Sequence, residues 1–348
     1  MRKVDRMKIK LKRYIKNVAS LIIAAVLVGS MTVYAAENPI ISPTATPAGP
    51  QSPAAPREPG KTETITMRGP AQSNAENAYL GGATLTLLAP ATNSQNLSCV
   101  IQTKNGSIIV VDGGLREDTD HLIQTLQAKG GRVSAWLITH PHSDHIGALT
   151  DILNRNPIPI EIDHIYYSFL AREAYAAGEN MGRMGDLDNL LAAFSHIAPE
   201  KLNTPLNKGQ KIQVDDITIN VMNLPFQTLS NTFNNSSIAY RVDVNGKRIM
   251  FLGDMGWEAG QNLMGSWDSD ELRSDVVQMA HHGQDGVEEG LYRLIHPSIC
   301  LWATPQWLWD NVSEGQPGPW KTLEVRKWMN ELGVRQNYCI KDGDQILR

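Results

Sequence analysis

Cysteine is scarce in this chain, which holds only Cys99, Cys300 and Cys339 among 348 residues. An odd set of three excludes a disulfide-stapled scaffold, so buried free thiols are expected, with one disulfide as the alternative. No internal repeat is present, which excludes solenoid and propeller architectures. Positive charge is also thin once the N terminus is set aside. The chain carries 32 basic and 36 acidic residues, and residues 1–36 hold 8 of the former and 1 of the latter. That leaves 24 against 35, a net of −11. A polyanion such as duplex DNA would be repelled over most of this surface. An anionic substrate must then be drawn in locally, for instance by metal.

The N-terminal basic residues, Arg2 through Lys16, precede an uncharged run from Asn17 to Ala36. This is the pattern of a secretory signal over residues 1–36, with Val33-Tyr34-Ala35 supplying small residues for cleavage after Ala35. An uncleaved membrane anchor is the other reading, because the run approaches the roughly 20 residues that span a bilayer. No cysteine follows it, which argues against a lipoprotein. Residues 37–74, rich in Pro, Ala, Thr and Ser, cannot bury a core and are expected to form an extended linker. The expectation is therefore a secreted or cell-surface protein, in contact with membrane only through an uncleaved N terminus, whose folded part is residues 75–348. No protein partner is legible.

That folded part alternates β-rich runs (Ala83–Ala89, Cys99–Thr103, Ile108–Asp112, Ala135–Thr139) with helical patterns near Asp118–Ala128, Ile146–Asn154, Leu187–Ile197 and Lys321–Leu332. Alternation of this kind reads as layered α/β. Asn105-Gly106 and Asn245-Gly246 each lie between two apolar runs and signal hairpins, so two mixed sheets with outer helices are favoured over a doubly wound parallel sheet. The C-terminal segments Tyr338–Lys341 and Gln345–Leu347 read as one terminal hairpin.

The segment Thr139-His-Pro-His-Ser-Asp-His-Ile-Gly147 packs His140, His142, Asp144 and His145 into six positions after an apolar strand. Two imidazoles one residue apart in extended chain point the same way and can grip one metal. Asp144 and His145, turning toward a helix, would face a second. Four ordered motifs make the sequence resemble the metallo-β-lactamase superfamily: HxHxDH here, Val110-Val111-Asp112-Gly113-Gly114 before it, Leu252-Gly253-Asp254 and Ala280-His281-His282-Gly283 after it. The resemblance implies an αββα sandwich. It implies one metal on His140, His142 and Asp254 and another on Asp144, His145, Asp254 and His282, with Asp112 orienting the histidines from behind. His281 would be a hydrogen-bonding or proton-donating neighbour, and the roles of His281 and His282 could be reversed. Nitrogen and oxygen donors without sulfur fit two zinc ions best, with manganese or iron as alternatives.

One histidine of the family pattern is missing between HxHxDH and the bridging aspartate. His164 and His196 lie in that interval in the wrong context and read as ordinary structural or surface histidines. In its place the chain has Asn234-Asn235-Ser236-Ser237, similar to the hydrolase domain of competence DNA-uptake proteins. Secreted phosphorylcholine esterases share the HxHxDH and His-His-Gly motifs. This implies a phosphodiesterase that uses a metal-bridging hydroxide on an anionic phosphodiester of a wall polymer, nucleotide or nucleic acid. Asp144 and His281 would assist the chemistry, and Asn234 and Ser237 would bind the phosphoryl oxygen or merely cap the next strand. A β-lactamase or thioesterase on the same scaffold and a non-catalytic binding module are the alternatives. Trp302, Trp307, Trp309 and Trp320 crowd a long loop and read as either ligand-stacking or packing residues.

Overall fold

The computed structural model describes residues 78–178 and 183–348. The signal and linker readings, and the start of the folded region at residue 75, lie outside the described residues. Two sheets form the frame. The first takes β1 (Thr84–Leu87), β2 (Ser98–Gln102), β3 (Ile108–Asp112), β4 (Arg132–Leu137), β5 (Glu161–Ile162), β6 (Ile165–Tyr166) and β7 (Leu202–Asn203). The second takes β8 (Lys211–Val214), β9 (Ile217–Val221), β10 (Tyr240–Val244), β11 (Lys247–Phe251), β12 (Val276–Gln278) and β13 (Ile299–Trp302). A small separate hairpin joins β14 (Val312–Ser313) to β15 (Gln316–Pro317), and β16 (Gln336–Cys339) and β17 (Gln345–Leu347) end the chain.

Both expected hairpins form. Asn105-Gly106 connects antiparallel β2 and β3. Asn245 and Gly246 connect β10 and β11 with φ of 48° and 70°, the left-handed pair that a two-residue turn matching strand twist requires. The expected terminal hairpin does not form. β16 lies parallel to β13 in the second sheet, whereas β17 pairs antiparallel with β1 in the first. The intervening turn crosses the sandwich, because Leu347 belongs to the apolar layer between the sheets and Cys339 to the layer under the helices of the second. Local pattern showed two short strands and a turn but not their partners.

Three apolar layers account for the αββα order. Leu85, Leu87, Ile101, Val111 and Leu137 of the first sheet meet Ile219, Tyr240, Val242 and Phe251 of the second. The opposite face of the first sheet, with Val100, Val110 and Trp136, buries Leu122, Leu126, Leu149 and Leu190 from the helices Thr119–Ala128, Ser143–Asn154 and Met184–Ala193. The outer face of the second sheet buries Leu263, Leu291 and Val325 from three further helices. A bulge in β4 sets which residues face which layer: Ile108 pairs with Val133 but Ile109 with Ala135. The extra residue reverses the alternation, so Trp136 turns to the helices and Leu137 to the sister sheet.

The Ser143–Asn154 helix begins three residues before its expected start, with extended His142 at its N-cap. Asp144 and His145 are thus first-turn helical residues rather than loop residues. The expected Leu187–Ile197 helix is Met184–Ala193 followed by a short tight turn to His196. The long tryptophan loop holds a short helix, Gln306–Trp309, and the β14–β15 hairpin. Among the described residues, no helix is long and apolar enough to cross a membrane. Tyr240 ties the two sheets together, fully buried, with its hydroxyl donating to the Ile138 carbonyl at 2.9 Å. Tyr240→Phe should cost about 1 kcal/mol and Tyr240→Ala about 3–5 kcal/mol, read as shifted midpoints in urea unfolding with unchanged slope.

Candidate metal centre

The site is assembled where β3 and β4 of one sheet and β11 and β12 of the other end. Asp112, the last residue of β3, is fully buried and held at φ 60°. Its Oδ1 accepts from the Thr139 amide at 2.7 Å, and its Oδ2 accepts from Thr139 Oγ1 at 2.8 Å and from His145 Nδ1 at 2.8 Å. Burial pushes this carboxyl up, and the neighbouring His145 and the Thr139 hydrogen bonds oppose the push. The network also sets tautomers. His145 spends its Nδ1 proton on Asp112 and presents Nε2 to the cavity. Thr139 Oγ1, having donated to Asp112, accepts from His140 Nδ1 at 3.1 Å, so His140 also presents Nε2.

On the other sheet, the turn carrying Asp254 is held by Gln278. This buried side chain accepts from the Leu252 and Gly253 amides at 2.9 and 2.8 Å and donates to the Gly253 and Met279 carbonyls at 3.1 and 2.7 Å. Gly253 sits at φ 58°, and a Cβ there would lie 2.8 Å from the Thr139 side chain, so no other residue allows the two strand ends to approach this closely. His281 and His282 both take left-handed backbone, with φ of 49° and 55°. Two such non-glycine residues in succession are strained, as is common where a site dictates side-chain direction. The kink sends the rings apart. His282 donates Nδ1–H to the Ala303 carbonyl at 3.0 Å and turns Nε2 to Asp144 and Asp254. His281 Nδ1 engages the Asp285 carbonyl at 3.1 Å, and its Nε2 lies 3.3 Å from Asn234 Nδ2.

Two donor clusters result, Asp144, His145, Asp254 and His282 in one and His140, His142 and Asp254 in the other, with the ligating atoms of each within 4.8 Å of one another. Asp254 Oδ2 is shared: it lies 3.2 Å from Nε2 of both His145 and His282 and 3.9 Å from Nε2 of His140. His282 Nε2 is 3.0 Å from Asp144 Oδ2, and His140 Nε2 is 3.1 Å from His142 Nδ1. These separations bracket the edge of a tetrahedron whose centre is about 2.0–2.1 Å from each donor, the spacing a divalent ion takes with imidazole and carboxylate. Nε2 of His145 and His282 and Oδ1 of Asp254 are buried without an aligned hydrogen-bond partner. Buried polar atoms left in that state need an explanation, and a cation between them supplies it. The donor set therefore fits a di-metal site.

Electrostatics agree with this division. Burial disfavours charge on His145 and His282, but Asp254 leads the carboxylates that outweigh it, holding His145 well above its ordinary value and pushing His282 up to about 9. Burial likewise raises Asp144 and Asp254, yet His145 and His282 hold both below the usual carboxylate range. His140 and His142 are pulled down by burial, His142 to about 4, and so stay neutral and free to ligate.

Asn234 lines the same cavity, donates to Asn231 Oδ1 at 2.8 Å and keeps Oδ1 buried and unpartnered. Ser237 does not reach it. Expected to bind a phosphoryl oxygen, Ser237 is fully buried and accepts the Asp254 amide at 3.1 Å, so its place is behind the bridging carboxylate. His164 contacts Asn203, and His196 contacts the Leu153 carbonyl; neither belongs to a donor cluster. The three cysteines are buried, free thiols. Trp302 is core, stacked against Gly283, and Trp309 lies under Arg326 at 4.0 Å. Only Trp307 lines the metal cavity, its indole donating to the Asn93 carbonyl at 3.0 Å and its ring edge-on to Trp320 at 4.8 Å. Sequence reasoning missed Gln278, Arg183 of the cavity wall and Phe233, which stacks on His142 at 5.0 Å. The Asn234–Ser237 run next to Phe233 was visible, but nothing local marks an aromatic as the floor of a ligand.

Residues 91–289 match the family model described as "Metallo-beta-lactamase superfamily", and the chain belongs to this superfamily of metal-dependent hydrolases. Among curated relatives, a hydroxyacylglutathione hydrolase of Hahella chejuensis is 26% identical over 190 residues, 55% of this chain and 58% of that one. Another of that name, from Buchnera aphidicola subsp. Schizaphis graminum, is 34% identical over 62 residues, 18% of this chain and 24% of that one. The chain thus matches well under two thirds of either relative's length. Of solved structures, the metallo-beta-lactamase fold protein YhfI from Bacillus subtilis aligns with a TM-score of 0.46 at 13% identity, covering 76% of this chain and 99% of that one.

Plasma mass spectrometry on single variants tests the ligand division. His282→Ala should remove about one equivalent of metal, Asp254→Asn more than that, and His281→Ala none; metal loss from His281→Ala with none from His282→Ala would reverse the assignment.

Proposed function

We propose that this protein is a secreted or cell-surface phosphodiesterase holding two divalent ions, zinc by donor type, at the shared Asp254. The observation that carries the reading is the incomplete first cluster. It has two imidazoles and the shared carboxylate, and an uncharged amide, Asn234, stands on the cavity wall where the family pattern puts a third imidazole. An ion held there would have fewer protein donors than one in the second cluster, which would leave room for a substrate oxygen.

Two bound divalent ions would supply a water of near-neutral pKa and neutralise charge on phosphoryl and leaving oxygens. The chain's residues do the rest. Asp112, directly at His145 and through Thr139 at His140, aims the Nε2 atoms of these two rings into the cavity. Asn234 Nδ2 donates to Asn231 Oδ1 at 2.8 Å and lies 3.3 Å from His281 Nε2, which it helps to position. His281, its Nδ1–H spent on the Asp285 carbonyl, keeps Nε2 on the cavity side as a hydrogen-bond acceptor. Arg183 contributes the cavity's one arginine, and the space, about 440 Å³, suits a small diester or the end of a polymer. A net-negative chain can take an anionic group here because the ions outweigh Asp112, Asp144 and Asp254.

Thioester hydrolysis is the second reading, favoured by the two curated relatives named hydroxyacylglutathione hydrolase. The test uses metal-loaded protein with bis-p-nitrophenyl phosphate, p-nitrophenylphosphorylcholine and hydroxyacylglutathione side by side. Chelator-sensitive cleavage of a phosphodiester is expected, with Asn234→Ala lowering kcat about 10²-fold as the amide that positions His281 is lost. Turnover of the thioester alone would replace the phosphodiesterase reading.

A further inference from the structure

At the end of the second sheet opposite the metal centre, where β11, β12 and β13 begin, lies a second cavity of about 560 Å³. Arg248, Arg273, Arg335 and His296 line it, with Asp275 as its carboxylate. That carboxylate is already engaged, accepting the Arg248 amide at 3.0 Å and lying 3.6 Å from Lys247 Nζ. The Arg248 guanidinium is oriented by carbonyl oxygens, those of Asp270 at 2.6 Å and Arg273 at 3.5 Å, and not by an acid.

Elsewhere six of the nine described arginines are paired. Arg116, Arg132, Arg155, Arg172, Arg241 and Arg293 each have a carboxylate within 4 Å. Among the described residues, the unpaired remainder is Arg183 in the metal cavity, Arg326 on the Trp309 ring, C-terminal Arg348, and the three arginines that share this one cavity. Three like charges gathered around one concavity repel one another, and planar guanidinium forks match the oxygens of a phosphoryl group bidentately.

We propose that this cavity is a binding site for a phosphoryl anion, separate from the metal centre and independent of the phosphodiesterase reading. A free phosphate and a phosphate of a longer anionic polymer present the same oxygens to it; a polymer seated here would be held at the far end of the sheet from the point of cleavage. Calorimetric titration of the metal-loaded protein with inorganic phosphate, and separately with long-chain polyphosphate, tests it. The proteins compared are wild type, Arg273→Gln/Arg335→Gln, and a control with the same charge change elsewhere, Lys211→Gln/Lys327→Gln. The metal centre is common to all three. The arginine variant should bind at least one of the two ligands about tenfold or more weakly than wild type, while the control binds as wild type does and metal content stays unchanged in both. Weakening for both ligands assigns the site to free phosphate; weakening for polyphosphate alone assigns it to a polymer. Equal binding by all three proteins, or equal loss in the lysine control, would overturn the site. If the double variant fails to fold by thermal melt, Arg335→Gln on the exposed turn after Gly333 carries the same comparison.

Discussion

One carboxylate oxygen, Asp254 Oδ2, stands between two groups of imidazoles, and the surrounding structure is arranged to keep it there. A buried anion is costly unless hydrogen bonds or cations compensate it. The chain fixes the turn and not the charge: the Asp254 amide donates to Ser237 Oγ, and the turn before it is held by all the hydrogen-bonding capacity of the Gln278 amide. Compensation of the carboxylate itself is left to the histidines and to what they hold. The same economy governs Asp112, whose two oxygens are spent on Thr139 and His145 and which thereby decides the ring nitrogen that faces inward.

This division explains why the site lies at strand ends. Strand ends in the interior of a sandwich are rigid, yet their last carbonyls and amides are not consumed by the ladder. Thr139 uses that freedom twice, accepting the Ile238 amide from the opposite sheet at 2.9 Å while its own amide goes to Asp112. The two halves of the site are thus coupled by backbone contacts, and the close passage at Gly253 follows from the same approach. Of the nine described non-glycine residues with left-handed backbone, Asp112, His281 and His282 belong to the metal centre, where side-chain direction matters most.

Charge is distributed with similar selectivity. Half of the described arginines are neutralised in place by carboxylates, pairs that contribute little to stability individually when exposed. Four of the other six line the two concavities at opposite ends of the second sheet, one built on imidazole and carboxylate and the other on guanidinium. An overall negative chain can present local positive potential only by concentrating unpaired cations or bound ions in this way.

The sequence by itself determined the donor residues and the class of fold. HxHxDH, the strand-end aspartates and the His-His-Gly segment are local patterns, and the spacing of ligands within a strand end or a helix turn follows from backbone geometry alone. The two Asn-Gly hairpins were legible for the same reason. Tertiary structure alone decided that Ser237 serves the Asp254 amide and not the cavity, and that His282 rather than His281 turns toward the shared carboxylate. It also sent the C-terminal strands to different sheets, and it put Trp302 and Trp309 into packing while leaving Trp307 at the site. Each of these depends on contacts between residues tens to hundreds of positions apart, or on a single backbone kink. Periodicity and motif spacing report which groups a segment carries, whereas the direction a group faces is set by what the other sheet brings against it.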